Sequence, residues 1–212
     1  MSEPDLNRMP VKLAPFYPIV PDIGWLERIV QLGVKLVQLR IKDATRGAIV
    51  DQTRRALDVT KAHGCQLVLN DYWDVAIETG ADFIHLGQED LQAADLVALR
   101  KAGIRVGVST HDETELETAL LVYPDYVALG PIYRTKLKIM PWAPQGLERL
   151  KLWRSKIGAL PLVAIGGLTP DRATGAADAG ADSLAVITDF VTASDPDARI
   201  REWLKWAADR RS

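Results

Sequence analysis

Eight short apolar runs punctuate this 212-residue chain, and each is followed by a polar turn and a longer stretch with helical spacing. The runs are FYPIV at 16–20, LVQLRI at 36–41, QLVLN at 66–70, FIHLG at 83–87, RVGVS at 105–109, YVALG at 126–130, PLVAIG at 161–166 and SLAVIT at 183–188. Runs this short and apolar suit strands buried on both faces, and the gaps between them hold a return helix each. In 45–62 and 91–102 apolar positions recur every three or four residues, and Gly33, Gly64, Gly80, Gly103 and Gly180 stand where such helices would close. Eight βα units in sequence predict an α/β fold, a closed (β/α)8 TIM barrel. An open doubly wound sheet is the alternative, since a count of units does not establish closure.

With 48% hydrophobic residues the chain can fill such a core without covalent staples. Its one cysteine, Cys65, excludes an internal disulfide framework and a cysteine-rich metal cluster. No secretory leader pattern or membrane-length apolar run is visible, so a soluble cytoplasmic protein with no membrane partner is expected. Twenty-six Lys and Arg balance 28 Asp and Glu, a net charge of -2, which gives no basic field for nucleic acid. Partners are therefore recognised locally, and a homo-oligomer is left open. No linker divides the chain, so 1–212 reads as one catalytic domain, with proline-bearing 1–14 as an N-terminal arm. At the other end Ile200, Trp203, Leu204 and Ala207 form one helical stripe, which fits the barrel's outer ring more simply than a membrane surface.

Barrel chemistry gathers at the C-terminal ends of the strands, so polar residues that finish apolar runs mark the candidate site. In VQLRIKD, Gln38, Arg40 and Lys42 alternate with Val37, Leu39 and Ile41, which places the polar row inward by the two-residue period of a strand. Such a row suits an anion or polar ligand; an internal ion-pair network is the structural alternative. Asn70 and Asp71 end the third run, and Asp90 lies just past the fourth. Two carboxylates on adjacent strand ends can share a hard divalent cation completed by water and phosphate oxygens, which points to Mg2+. His63 reads as a helix-end residue and His85 as a packed core histidine, while His111, near Ser109, completes no nucleophile–base–orienter set. The connection at 130–146 carries Arg134, Thr135, Lys136 and Lys138 and reads as a cover over the site, or as a solvated basic loop. Gly166 and Gly167, with the eighth strand end at Ile187 and Thr188, suit a phosphate close to the backbone and a helix N-terminus. Asp189 must then turn away, be paired, or weaken anion binding.

Together these motifs make two phosphate subsites, one of them metal-supported, a layout for joining two small phosphorylated substrates. In VQLRIKD, LNDYWDVAI, HLGQEDL, GVSTH, ALGPIYRTKLK, MPWAPQGLE and VAIGG the sequence resembles the thiamine phosphate synthase family over nearly its whole length. The resemblance implies a thiamine-biosynthetic transferase that couples 4-amino-2-methyl-5-hydroxymethylpyrimidine diphosphate to thiazole phosphate, or to its carboxylate, and releases pyrophosphate by a dissociative carbocation route. It implies that Gln38, Leu39, Arg40, Ile41, Lys42, Asn70, Ser109 and Lys138 bind the pyrimidine diphosphate, with Arg40, Lys42, Ser109 and Lys138 catalytic. Thr135, Lys136, Leu137, Gly167, Ile187 and Thr188 would bind the thiazole phosphate, and Asp71 and Asp90 the magnesium. A non-coupling barrel similar to thiazole tautomerase and a non-catalytic ligand-binding relative are the alternatives; the former has no diphosphate to release and no need of Arg40, Lys42, Asp71, Asp90 and Lys138. Two departures from the family pattern, Leu137 before Lys138 and Asp189 after Thr188, lead to the expectation of weakened thiazole phosphate binding.

Overall fold

A computed structural model describes residues 11–134 and 143–210 of the chain. The eight apolar runs form strands β1 (Phe16–Val20), β2 (Leu36–Leu39), β3 (Gln66–Asn70), β4 (Phe83–Leu86), β5 (Arg105–Thr110), β6 (Tyr126–Leu129), β7 (Leu162–Ile165) and β8 (Ser183–Val186). Each pairs in parallel with the next, and β1 also pairs with β8 through Phe16–Leu184, Tyr17–Ala185 and Pro18–Val186. That pairing closes the barrel and removes the open-sheet alternative. The described helices are α1 (Ile23–Gln31), α2 (Arg46–Ala62), α3 (Trp73–Thr79), α4 (Gln88–Ala93), α5 (Leu96–Lys101), α6 (Glu113–Leu121), α7 (Gly146–Ile157), α8 (Pro170–Asp178), α9 (Thr188–Val191) and α10 (Pro196–Asp209).

Local chemistry sets most helix boundaries. Asp22, Thr45, Asp95, Asp112 and Asp195 cap α1, α2, α5, α6 and α10 by accepting from a backbone N–H of the first turn. The five glycines expected to stop helices all adopt positive φ. The stretch 91–102, expected as one helix, is split between α4 and α5. Ala94 is extended, and the Asp95 carboxylate caps a new helix at Ala98 N, 2.9 Å away.

Two buried layers follow from the alternation of the strands. Residues such as Val37, Leu39, Leu69, Ile84 and Val127 face the helices, whereas Tyr17, Ile19, Leu36, Val68, Phe83, Tyr126 and Val163 fill the lumen. The C-terminal stripe packs as expected: Ile200, Trp203 and Ala207 are buried on α10, and Trp203 stacks on Phe16 of β1 at 5.3 Å between ring centroids. At the N-terminal end of the barrel Leu13 is buried in the lumen cluster, and Ser183 Oγ donates to the Ala14 carbonyl at 2.7 Å. The described end of the arm thus plugs the barrel floor, leaving the opposite end for chemistry.

Candidate active site

The C-terminal mouth opens on a cavity of about 900 Å³ to which every strand end contributes. From β2 the cavity receives Gln38, Arg40 and Lys42. The strand β2 ends at Leu39, the Arg40 N–H still donates to the Val20 carbonyl at 2.8 Å, and the two-residue alternation runs on to Lys42. Gln38 is therefore buried, at 2% exposure, while the charged heads of Arg40 and Lys42 emerge at the exposed rim. The desolvation argument for this row holds for Gln38 alone; the two cations keep access to water. Leu39 and Ile41 point the other way, into the layer between barrel and helices, so only their main chain is available to a ligand. Even there the Ile41 carbonyl already accepts from the Tyr72 hydroxyl at 3.1 Å.

The carboxylate pair forms at the ends of β3 and β4. Asp71 has φ +66°, a left-handed conformation that aspartate tolerates better than most residues, and its N–H donates to the His85 carbonyl at 2.9 Å. Lys42 Nζ donates to Asp71 Oδ2 at 2.6 Å. Asp90 lies on the first turn of α4 above Gly87, where an added Cβ would come within 3.1 Å of Asp90 Oδ2. Burial, and then the charge and hydrogen bond of Asp71, hold the Asp90 carboxyl above its ordinary range. A cation between the two would relieve that repulsion, so the pair fits a divalent metal. Among the described residues no group of three or more His, Cys, Asp or Glu could hold one. A hard ion held by these two carboxylates would need its remaining oxygens from substrate and water. Beside the pair, buried Asn70 points an Nδ2 with no hydrogen-bond acceptor, an orphan donor lining the same cavity.

Ser109 stands at the end of a buried polar chain that sequence reasoning missed. Gln38 Nε2 donates to the Tyr17 hydroxyl at 2.9 Å, which lies 3.0 Å from the Tyr126 hydroxyl. The Tyr126 hydroxyl is 2.8 Å from His85 Nδ1, and His85 Nε2 is 2.8 Å from Ser109 Oγ. Gly107 makes this possible: it pairs with Tyr126 across β5–β6 and with His85 across β4–β5, and a Cβ there would sit 2.1 Å from the Tyr126 ring. His85 is the packed, hydrogen-bonded histidine expected, but it also lines the cavity. Burial, with a smaller contribution from Arg40, pushes its pKa down to about 4 against the opposing Asp71 charge. A neutral imidazole of that acidity backed by a phenol is a poor base for a serine nucleophile. His63, by contrast, ends α2 with its ring on the Val59 carbonyl.

On the far side, Gly166 and Gly167 have φ +99° and +64°, and a Cβ on either would meet the 131–134 segment within 2.7 Å. Their role in this fold is close backbone packing, with Ile132 N donating to the Ile165 carbonyl and Tyr133 N to the Gly166 carbonyl. Both glycines still line the cavity, as do Ile187 and Thr188, which lie past the end of β8 at the start of α9. Asp189 resolves as paired: its Oδ2 accepts from Trp203 Nε1 at 2.8 Å and sits 3.8 Å from Arg199. Arg172, not picked out from the sequence, lines this side with its guanidinium 4.7 Å over the Tyr133 ring and donating to the Gly167 carbonyl. Its signal was faint, a lone arginine in the first turn after Thr169-Pro170. Thr135, Lys136, Leu137 and Lys138 lie outside the described residues.

A family model described as thiamine monophosphate synthase matches residues 17–190. A thiamine-phosphate synthase of Rhizobium etli is 57% identical over 202 residues, covering 95% of this chain and 99% of that protein. One from Klebsiella pneumoniae is 42% identical over 195 residues, covering 92% of each. Among solved structures, a thiamine phosphate pyrophosphorylase from Pyrococcus furiosus aligns with a TM-score of 0.81 at 26% identity, over 92% of this chain and 96% of that one.

Proposed function

Because this chain belongs to the thiamine-phosphate synthase family, we propose that its barrel mouth couples 4-amino-2-methyl-5-hydroxymethylpyrimidine diphosphate to thiazole phosphate, or its carboxylate, to give thiamine phosphate, releasing pyrophosphate and, from the carboxylate, carbon dioxide as well. The observation that carries the reading is the convergence of Arg40, Lys42, Asp71 and Asp90 on one rim of the cavity. A diphosphate needs countercharge as its ester bond breaks, and this rim supplies it. Asp71 and Asp90 would hold a magnesium ion, which when bound adds positive charge against the departing oxygens.

The protein's own groups account for the remaining steps. Asn70 offers its unpaired amide N–H to an acceptor on the pyrimidine, and Gln38 and Ser109 flank it from β2 and β5. Arg40 and Lys42 take the diphosphate, Lys42 exchanging its bond to Asp71 for one to phosphate. The C–O bond to the diphosphate breaks first, its electron pair leaving with pyrophosphate. The electron-rich aminopyrimidine stabilises the methylene cation, and the thiazole nitrogen attacks it. Gly167, Ile187 and Thr188 receive the thiazole phosphate; the thiazole and leaving-group roles that the family resemblance implies for Thr135, Lys136, Leu137 and Lys138 fall outside the described residues. Exclusion of water protects the cation from hydrolysis. A tautomerase reading leaves the cation and carboxylate rim without a purpose. We place the activity in the cytoplasm, where both soluble phosphorylated substrates would be met; among the described residues no helix is long and apolar enough to cross a membrane.

The test mixes pyrimidine diphosphate, thiazole phosphate and magnesium and follows thiamine phosphate and pyrophosphate. Equimolar products, abolished by a chelator and restored by magnesium, are expected. Failure to form coupled product at any substrate or metal concentration would overturn the proposal. Asp71→Asn, which removes the charge but keeps a residue that tolerates the left-handed backbone, should lower kcat/KM about a hundredfold or more while leaving the urea midpoint within experimental scatter; parallel loss of folded protein would make Asp71 structural instead.

A further inference from the structure

The hydrogen bonds beneath the cavity run from one substrate-facing residue to another through side chains that the proposed reaction does not use. Gln38 and Ser109 line the cavity from β2 and β5, whereas Tyr17 and Tyr126, between them, are fully enclosed in the lumen. Tyr17 on β1 and Tyr126 on β6 meet across the barrel interior, their rings edge to face at 6.2 Å between centroids. Each of the four links lies between 2.8 and 3.0 Å, within the range of a well-formed hydrogen bond.

The chain has a direction. A phenol carries one proton and a neutral imidazole one N–H, so fixing the first donor fixes every later one. The Gln38 amide nitrogen donates to Tyr17. Tyr17 must then donate to Tyr126, Tyr126 to His85 Nδ1, and the His85 Nε2–H to Ser109 Oγ. The Ser109 proton is left over, and the cavity is where it can be used. Reversing the first bond reverses them all: an acceptor at position 38 would draw protons toward β2, place the imidazole proton on Nδ1, and turn the Ser109 proton inward onto His85 Nε2.

We propose that Gln38, Tyr17, Tyr126, His85 and Ser109 form a polarity relay in which the Gln38 amide sets the histidine tautomer and presents the Ser109 hydroxyl as a donor to the pyrimidine diphosphate. Tyr17 and Tyr126 are positioning residues in this relay, since neither lines the cavity, and Gly107 is the gap that lets Tyr126 reach His85. The identity of the ligand rests on the proposed synthase activity; the relay itself does not, and its first test needs no substrate.

Nitrogen-15 and carbon-13 NMR of the His85 imidazole at pH 8 reads the tautomer directly. The wild-type protein should show the Nε2–H form, and finding Nδ1–H would overturn the relay. Gln38→Glu, which places an ionised acceptor at the head of the chain, should move His85 to Nδ1–H. The same substitution in a Tyr126→Phe background should leave the tautomer unmoved, and if that protein does not fold, Tyr17→Phe breaks the chain one link earlier. A tautomer indifferent to Gln38→Glu, or one that still flips after the break, would also overturn it. The second arm measures pyrimidine diphosphate affinity by calorimetry without the thiazole substrate. Ser109→Ala should weaken binding about tenfold in the wild-type background and less than about twofold beside Gln38→Glu, where its proton is already withdrawn. Equal losses in both backgrounds count against the relay, whereas wild-type protein that binds no pyrimidine diphosphate counts against the proposed activity and leaves the tautomer result standing.

Discussion

His85 shows how a single side chain ties stability to pH. Its imidazole faces Tyr126 and Ser109 by hydrogen bond and lies in the fields of Asp71 and Arg40; burial dominates and holds its pKa at about 4. The unfolded chain binds that proton near pH 6.5. Between the two values the unfolded state carries more protons, so stability falls as pH drops from about 6.5 toward 4 and is unaffected above that window. The loss at pH 4.5 should be about 2–3 kcal/mol, and urea titrations at pH 4.5 and 7 should show His85→Gln losing less over the interval than wild type by about that amount. Equal pH slopes for the two proteins would refute the assignment. Gly107 is the complementary case, a residue defined by space. A methyl group at 2.1 Å from the Tyr126 ring leaves the ring nowhere to go within the lumen, so Gly107→Ala should cost about 3 kcal/mol or more, read as a fall in Tm. Tyr126→Leu in the same chain should recover part of that loss. The sequence marked His85 as a packed core histidine but not its partners: Gly107 was one small residue in an apolar run, and Tyr17 and Tyr126 are 109 positions apart with no shared local pattern.

At the level of elements, alternating apolar runs marked all eight strands, but not where their ladders stop. LVQLRI and SLAVIT read as strands to Ile41 and Thr188, whereas pairing ends at Leu39 and Val186. The side-chain alternation that sequence reports outlasts the strand pairing that it does not, and at β2 the row runs from buried Gln38 to the exposed rim cations. The split of 91–102 was legible in principle, since Asp95 precedes Leu96 as a cap, but the helical period alone ran through it. Asp189 shows the limit of local reading more sharply. Beside a proposed phosphate subsite its charge looked unfavourable; in the fold it fastens α9 to α10 through the Trp203 indole, its side chain only 12% exposed. Asp189→Ala should therefore cost about 1–2 kcal/mol in urea unfolding, leaving a buried indole N–H unpaired, and should not tighten the KM for thiazole phosphate. Tighter binding with unchanged stability would restore the repulsive reading and leave the pairing without consequence.

Across the whole molecule, closure separates what stabilises the barrel from what it does. The mouth collects Gln38, Arg40, Lys42, Asn70, Asp71, Asp90 and Ser109, residues legible from the sequence because each is a polar end to an apolar run. The floor is closed by Leu13, which packs among lumen residues at the opposite end, and by the Ser183–Ala14 hydrogen bond that joins the arm to β8. The arm's contribution was not legible, because an isolated leucine between prolines carries no period to read. Truncating Leu13 opens a void beneath the lumen cluster without touching any group at the mouth. Leu13→Ala should then lower stability by about 2 kcal/mol, the low end for a buried leucine because the site lies at the barrel's end where neighbours can relax inward. Provided the assay runs well below the new Tm, kcat and both KM values should stay within about twofold of wild type, since Leu13 lies at the opposite end of the lumen from the rim groups. The measurement pairs a urea titration with initial rates on the same preparation. A loss of turnover out of proportion to the loss of folded protein would mean that the floor and the mouth are mechanically coupled through the lumen.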